Sequence, residues 1–313
     1  MVHWPASRSK ALDFLILLII FLVIGVGAFI LSSKNLPANV FVDPNSTSAD
    51  EGSDEKSDDS KDDVKDVIPE KIDFQPVVDA WAGSVQGNRS VLVYDIERDE
   101  IVGAYNTLEN YDTASIYKLF VVYEGYRRVD NGSWDGNATV GSTRRTINDC
   151  LDLAIRESDS PCAEGLWAMM GHAELDAIVK NDYGINNTNV SNLISNVTDV
   201  MMILKRFYEH PDIKDEGSVG RMMDSFLNQP TTNYNWRQGL PSGFSKAKVY
   251  NKVGWDYNAT DDNWNIYNDA AIVEFPEQKR HFIVVVMTNK VAYQSIATLG
   301  TKIENTFFEN INN

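Results

Sequence analysis

The sequence predicts an α/β (α+β) fold: one antiparallel sheet built from N- and C-terminal strands, flanked by helices, with an all-helical lobe inserted between them. Three observations predict it. Alternating β-rich runs occur near residue 90 and again after residue 248. The long stretch between them repeats apolar residues at three- and four-residue spacing, the period of amphipathic helices. Ahead of both lies an apolar segment, which adds an N-terminal transmembrane helix to the prediction.

Residues 1–10 read as a cytoplasmic tail carrying Arg8 and Lys10, and residues 11–33 as a transmembrane anchor. From Phe14 to Ser33 the anchor is uncharged, and about 20 such residues cross a hydrocarbon core of roughly 30 Å. The flanking cations place the tail inside, so everything after Lys34 is expected outside a single-pass cell-membrane anchor. A cleaved signal peptide is the competing reading, although the small-x-small site that should follow it is poorly represented. Residues 34–72 form an acidic linker, with "DEGSDEKSDDSKDDVKD" from Asp50 to Asp66. Such a run buries too little apolar surface to fold, and its self-repulsion extends it as a spacer. It supplies much of the net charge of −17 in the 313 residues, and no basic stripe exists elsewhere, so nucleic acid is excluded as a partner.

The folded region is expected over residues 73–313. "FQPVVDAWAG" (74–83) reads as a helix and "SVLVYDIERDEIVGAYN" (90–106) as a hairpin. Helices are then predicted at Ser115 to Arg128, Thr146 to Glu157, Pro161 to Met170, Ala173 to Asn181, Thr198 to Tyr208 and Gly217 to Leu227. Strands return at 248–255, 266–275 and 281–289, before a closing helix from about Ala292. Cys150 and Cys162 flank the segment around Ser158, and either a bridge or two buried thiols is compatible with the spacing. The histidines are scattered and no Cys/His cluster has metal-ligand spacing, so no metal or cofactor is expected. Asn-x-Ser/Thr sequons recur from Asn45 to Asn258, as chance allows in a chain rich in these residues.

Chemistry is concentrated in three short motifs. "YDTASIYKLF" places Ser115 three residues before Lys118 at a helix start, so that the two share a face and a hydroxyl nucleophile has a base within reach. "AIRESDSPCAEGLW" puts Ser158, Asp159 and Ser160 between two predicted helices, and "VYNKVGW" puts Lys252, Val253 and Gly254 on a predicted strand before Trp255. Taken singly, these are a helix cap, surface cations and an N-cap.

In order, spacing and context, the three motifs resemble those of the class A β-lactamases and penicillin-binding proteins: Ser-x-x-Lys at a helix start, Ser-Asp-Asn on a loop, and Lys-Thr-Gly on an edge strand. The resemblance covers roughly residues 73 to 312. It implies a serine hydrolase in which Ser115 is acylated, Lys118 takes its proton, and Ser158 relays a proton to the leaving nitrogen. On the same footing Ser160, Lys252, Gly254 and Trp255 bind substrate, Lys252 by its charge, and the backbone N–H groups of Ser115 and Trp255 form the oxyanion hole. The implied ligand is a β-lactam or a cell-wall peptide, with no cofactor. Asp159 is expected to order its loop. Ser160 stands where the family has Asn and Val253 where Thr or Ser is usual. "INNTNVSNLISNVT" (185–198) has no acid where class A enzymes carry a glutamate that activates the deacylating water, and Glu174 is expected on a helix surface. Slow deacylation follows, and a non-catalytic module binding cell-wall peptide or a protein partner is the alternative.

Overall fold

A computed structural model of the chain describes residues 68–230, 235–258 and 263–312, all within one unit spanning 64–313. The predicted anchor and nearly all of the predicted linker lie outside the described residues. Among the described residues no helix is long and apolar enough to cross a membrane. Ile72, at the predicted edge of the folded region, is 2% exposed and packs into the core.

The chain opens with helix α1 (Gln75–Ser84), then strands β1 (Asn88–Asp95) and β2 (Glu100–Tyr105) as the predicted hairpin. A two-residue strand β3 (Tyr111–Asp112) and a 3₁₀ turn (Ala114–Tyr117) lead into α2 (Lys118–Asp130). The helical lobe continues with α3 (Ile147–Arg156), α4 (Ser160–Met170), α5 (His172–Asn181), α6 (Val197–Glu209) and α7 (Glu216–Leu227). Strand β4 (Ile194–Ser195) interrupts it before α6 and pairs with β3. A short helix α8 (Leu240–Gly243) precedes β5 (Lys248–Asn258), β6 (Asn263–Phe275) and β7 (Arg280–Asn289), and α9 (Tyr293–Ile311) closes the chain.

The five-stranded sheet has the order β2-β1-β7-β6-β5, antiparallel at every pairing. N- and C-terminal strands meet where β1 pairs with β7, Val91 opposite Val286. Both faces of this sheet are covered, which is why its central strands read as continuous apolar runs. Along β7, Phe282, Val284 and Val286 enter a core shared with α1 and α9, while Ile283, Val285 and Met287 face the helical lobe. The helix that carries the Ser-x-x-Lys motif into the lobe is wrapped on all sides: every residue from Lys118 to Tyr126 is buried, matching the unbroken apolar character of "LFVVY".

Cys150 and Cys162 are bridged, tying α3 to α4 with their Cα atoms 4.8 Å apart. The open alternative of two thiols is thereby settled. Closing a loop this short stabilises by about 3 kcal/mol in the chain-entropy account, and the closed loop contains Ser158 and Ser160.

Candidate active site

Ser115 sits on the 3₁₀ turn and not inside the predicted helix, which starts at Lys118. The cause lies just upstream. Ala114 has φ of +43°, a left-handed conformation that a regular helix cannot contain, and the Asp112 carboxylate accepts the Ala114 N–H at 2.7 Å to hold it there. Residues three apart eclipse one another in a 3₁₀ helix, so Ser115 and Lys118 still share a face. The backbone before Ser115 is clamped on two further sides. Thr113 N–H donates to the Leu193 carbonyl at 2.7 Å, and the buried Asn268 amide donates to the carbonyls of Asp112 and Thr113 at 2.9 and 3.2 Å. Gly254 on the outer strand β5 lies so close that an added Cβ would come 2.3 Å from the Thr113 carbonyl oxygen, which makes glycine obligatory there.

The loop with Ser158 joins α3 to α4 by a left-handed residue, Ser158 at φ +55°. Asp159 then caps α4, accepting the Cys162 N–H at 2.8 Å, and pairs with Arg145 at 2.6 Å, so it orders the loop as expected. From this loop two serines and from β5 one lysine converge on Lys118. Lys118 Nζ donates to the Ser158 carbonyl at 2.6 Å, to Ser160 Oγ at 3.0 Å and to Ser158 Oγ at 3.3 Å. Lys252 Nζ donates to the same Ser158 Oγ at 2.9 Å and to the Val253 carbonyl at 2.7 Å. The Ser158 hydroxyl therefore lies between the two lysine amines. Ser115 is half-buried and its hydroxyl makes no hydrogen bond among the described residues.

Neither lysine has a carboxylate within hydrogen-bonding distance, and both are buried, Lys118 at 0% and Lys252 at 1% exposure. Burial pushes Lys118 down to about 8, against the pull of the Asp159 and Glu164 charges. Burial and the neighbouring Lys118 charge push Lys252 well below its ordinary value, with Asp269 opposing. Burial thus favours the neutral amine in both lysines, and the Lys118 charge adds to that effect at Lys252.

Four further side chains near the motifs have defined surroundings. Val253 points away from Lys252 through the pleat and is buried in the core shared with α1 and α9. The Trp255 indole turns the same way and packs on Trp236 and Tyr293, at ring separations of 4.8 and 4.6 Å. Glu174 is 59% exposed and pairs with Arg128 at 2.6 Å, a surface residue as predicted. Asp199 is buried and accepts the Asn187 N–H at 2.7 Å and the Thr188 hydroxyl at 2.9 Å, bracing the acid-free segment from outside. Sequence reasoning missed Asn268. Its signal was an amide at the head of "NDAAIVEF", a polar side chain entering an otherwise apolar strand.

The family model described as the beta-lactamase enzyme family matches residues 73–307. Solved structures share the fold. The TLA-1 extended-spectrum β-lactamase is 14% identical with a TM-score of 0.65, covering 75% of this chain and 98% of its own. A class A β-lactamase from Bacteroides cellulosilyticus DSM 14838 is 16% identical with a TM-score of 0.63, covering 74% and 96%. A β-lactamase from Chitinophaga pinensis DSM 2588 is 17% identical with a TM-score of 0.62, covering 75% and 98%. At these identities the likeness is one of fold. No curated protein matches the sequence.

Proposed function

The chain belongs to the beta-lactamase enzyme family, and from that premise we propose that it is a serine hydrolase that cleaves β-lactam or peptidoglycan-like amides through an acyl-serine. Ser115 Oγ attacks the amide carbonyl carbon, its proton passing to the unprotonated amine of Lys118. The C–O bond forms first, giving a tetrahedral oxyanion; as it collapses the C–N bond breaks, the Ser158 hydroxyl gives its proton to the leaving nitrogen, and Ser158 regains one from the Lys118 ammonium at 3.3 Å. Lys252 lends positive charge beside Ser158 and the substrate carboxylate. The N–H groups of Ser115 and Trp255 hold the carbonyl oxygen as it gains charge, and Ser160 meets the acyl group. The observation that carries this reading is the convergence of Lys118 and Lys252, buried and without carboxylate partners, on the Ser158 hydroxyl, with Lys118 one turn from Ser115. A pair held this way is costly to fold, and such perturbed amines cluster where protons are moved or anions are bound.

Deacylation is slow on this reading, because the segment 185–198 carries no acid of its own and two carboxylates bonded to it are held by its own groups: Asp176 by the Val190 N–H, and Asp199 by Asn187 and Thr188. Residues 11–33 anchor the enzyme in the cell membrane and the acidic linker holds it outside. A non-catalytic peptide-binding role draws on a separate observation, that Lys118 Nζ is occupied by Ser158 and Ser160 while the Ser115 hydroxyl bonds to neither.

Intact-protein mass spectrometry after exposure to a panel of β-lactams tests both. The expected result is a stoichiometric adduct at Ser115 that persists, absent in Ser115→Ala, with nitrocefin turnover far below about 10 per second after a burst. No adduct at all would favour the binding role, and fast turnover without an adduct would overturn slow deacylation.

A further inference from the structure

Glu164 places a charge beside the site that none of the roles above uses. Residues four and seven positions apart share a helix face, so α4 presents Ser160, Glu164 and Trp167 in one stripe. Both ends of the stripe touch the nucleophile turn: Ser160 Oγ meets Lys118 Nζ at 3.0 Å, and the Trp167 ring lies 5.2 Å from that of Tyr117. Glu164 lies between them. It is exposed and forms no hydrogen bond or ion pair among the described residues. It also lies beyond the first turn of α4, which contains no acid, so it does not serve the helix dipole. Its field nonetheless reaches Lys118 and Tyr117, favouring the protonated form of each.

On the outer side of the stripe opens a groove of about 650 Å³, which Glu164 lines together with Val140, Gly141, Thr143, Pro161 and Met169. Apolar walls suit an alkyl chain, and the carboxylate suits a cation at its end. The two cations of the site are directed inward onto Ser158, Ser160 and a backbone carbonyl. Among the residues that line the groove, Glu164 is the one that carries a charge.

Resting on the reading of Ser115 as the acylated residue, we propose that Glu164 is a specificity residue that selects acyl donors bearing a primary ammonium on the acyl side chain, with the alkyl stem in the groove and the ammonium on the carboxylate. Amides of basic amino acids and aminoalkyl β-lactams are members of that class. Glu164 transfers no proton in this role.

The test uses two penicillins that differ only by one ammonium, the 6-aminohexanoyl and hexanoyl derivatives, with the full chain in a mild detergent. The ratio of their acylation rates is read by intact mass in the wild type and in Glu164→Gln. The ammonium compound should react roughly 3- to 5-fold faster at low salt, the range an exposed ion pair supplies, and the ratio should fall to about one in the variant and with added salt. Absolute rates will move for both compounds, because Glu164 also favours the proton on Lys118, so only the ratio is diagnostic. An equal ratio in the wild type, or a preference that survives Glu164→Gln, overturns the proposal. If neither compound acylates the protein, the Ser115 reading fails separately. Equilibrium dialysis of the same two compounds then decides: tighter binding of the ammonium compound that Glu164→Gln abolishes supports Glu164, and equal binding overturns it.

Discussion

Lys118 and Glu124 are charged side chains on the same helix, α2, and both are fully buried, yet their surroundings are opposite. Lys118 has only neutral oxygens for partners, and its ammonium is pushed down to about 8. Burial alone would likewise push Glu124 towards its neutral form. The Arg127 and Arg128 guanidinium groups at 2.6 Å and the Tyr183 hydroxyl at 2.7 Å outweigh it and hold the carboxyl below its usual range. Burial by itself therefore says little about function. A buried charge with counter-ions is a structural joint, whereas one left with neutral partners is a stored cost that chemistry can draw on.

The contrast predicts opposite outcomes when each charge is removed, and the largest effect should come from Lys118. Lys118→Met keeps the volume and deletes the amine, so acylation of Ser115 should slow by about 10² to 10⁴, as loss of a general base does. Thermal stability should stay level or rise, because an unpaired buried charge has gone. A melting temperature that falls as far as that of a Glu124 variant would break the comparison.

Glu124→Gln should do the reverse. It leaves two arginines beside a neutral amide, at a cost of about 3 to 5 kcal/mol, while molecules that remain folded acylate at the wild-type rate. The sign of its pH dependence sharpens the test. A carboxyl whose folded pKa is depressed contributes stability that is present above its unfolded value and lost as pH falls through the folded one. Urea midpoints measured from pH 6 down to pH 3 should fall more steeply in the wild type than in Glu124→Gln. Parallel curves would show that Glu124 is not the structural joint described.

How much of this was open to sequence reasoning differs between the two charges. Ser115, Lys118, Ser158 and Lys252 were legible because each belongs to a short motif, and the hairpin, the helical lobe and the terminal strands were legible because their periods are strong. Glu124 was silent: no motif marks it, and only tertiary packing buries the glutamate under Tyr183. Asn268 and Glu164 stayed hidden for the same reason, since a contact between β6 and the nucleophile turn, or the facing of α4, is fixed by packing and leaves no local pattern. The side of the sheet that Val253 faces was likewise hidden, since its motif position does not say that the pleat sends it to the core under α1 and α9. The 3₁₀ turn escaped because it depends on Asp112 holding Ala114 in a left-handed conformation, which no alanine propensity reveals.

The finest separation of the two charges lies in the alkaline range, where only one of them titrates. If the neutral Lys118 amine accepts the Ser115 proton, acylation should climb with pH through about 8 and level off above it. Between pH 7 and pH 9 the neutral fraction, and with it the rate at subsaturating β-lactam, should rise about tenfold. Stability should rise over part of the same range. Because the folded pKa of Lys118 is depressed, the unfolded chain binds more protons between about 8 and the ordinary lysine value of 10.5, so unfolding becomes less favourable as pH increases across that window. Lys118→Met should flatten the rate profile and remove that group's share of the stability rise. Glu124→Gln should leave both intact, since a carboxyl held low in the acid range is already ionised throughout. Stopped-flow acylation and urea midpoints, measured at half-unit steps from pH 6.5 to 10, read the two together. A wild-type rate that is flat or falling from pH 7 to 9 would mean that Lys118 does not act as the base, leaving the burial of its charge without a chemical use.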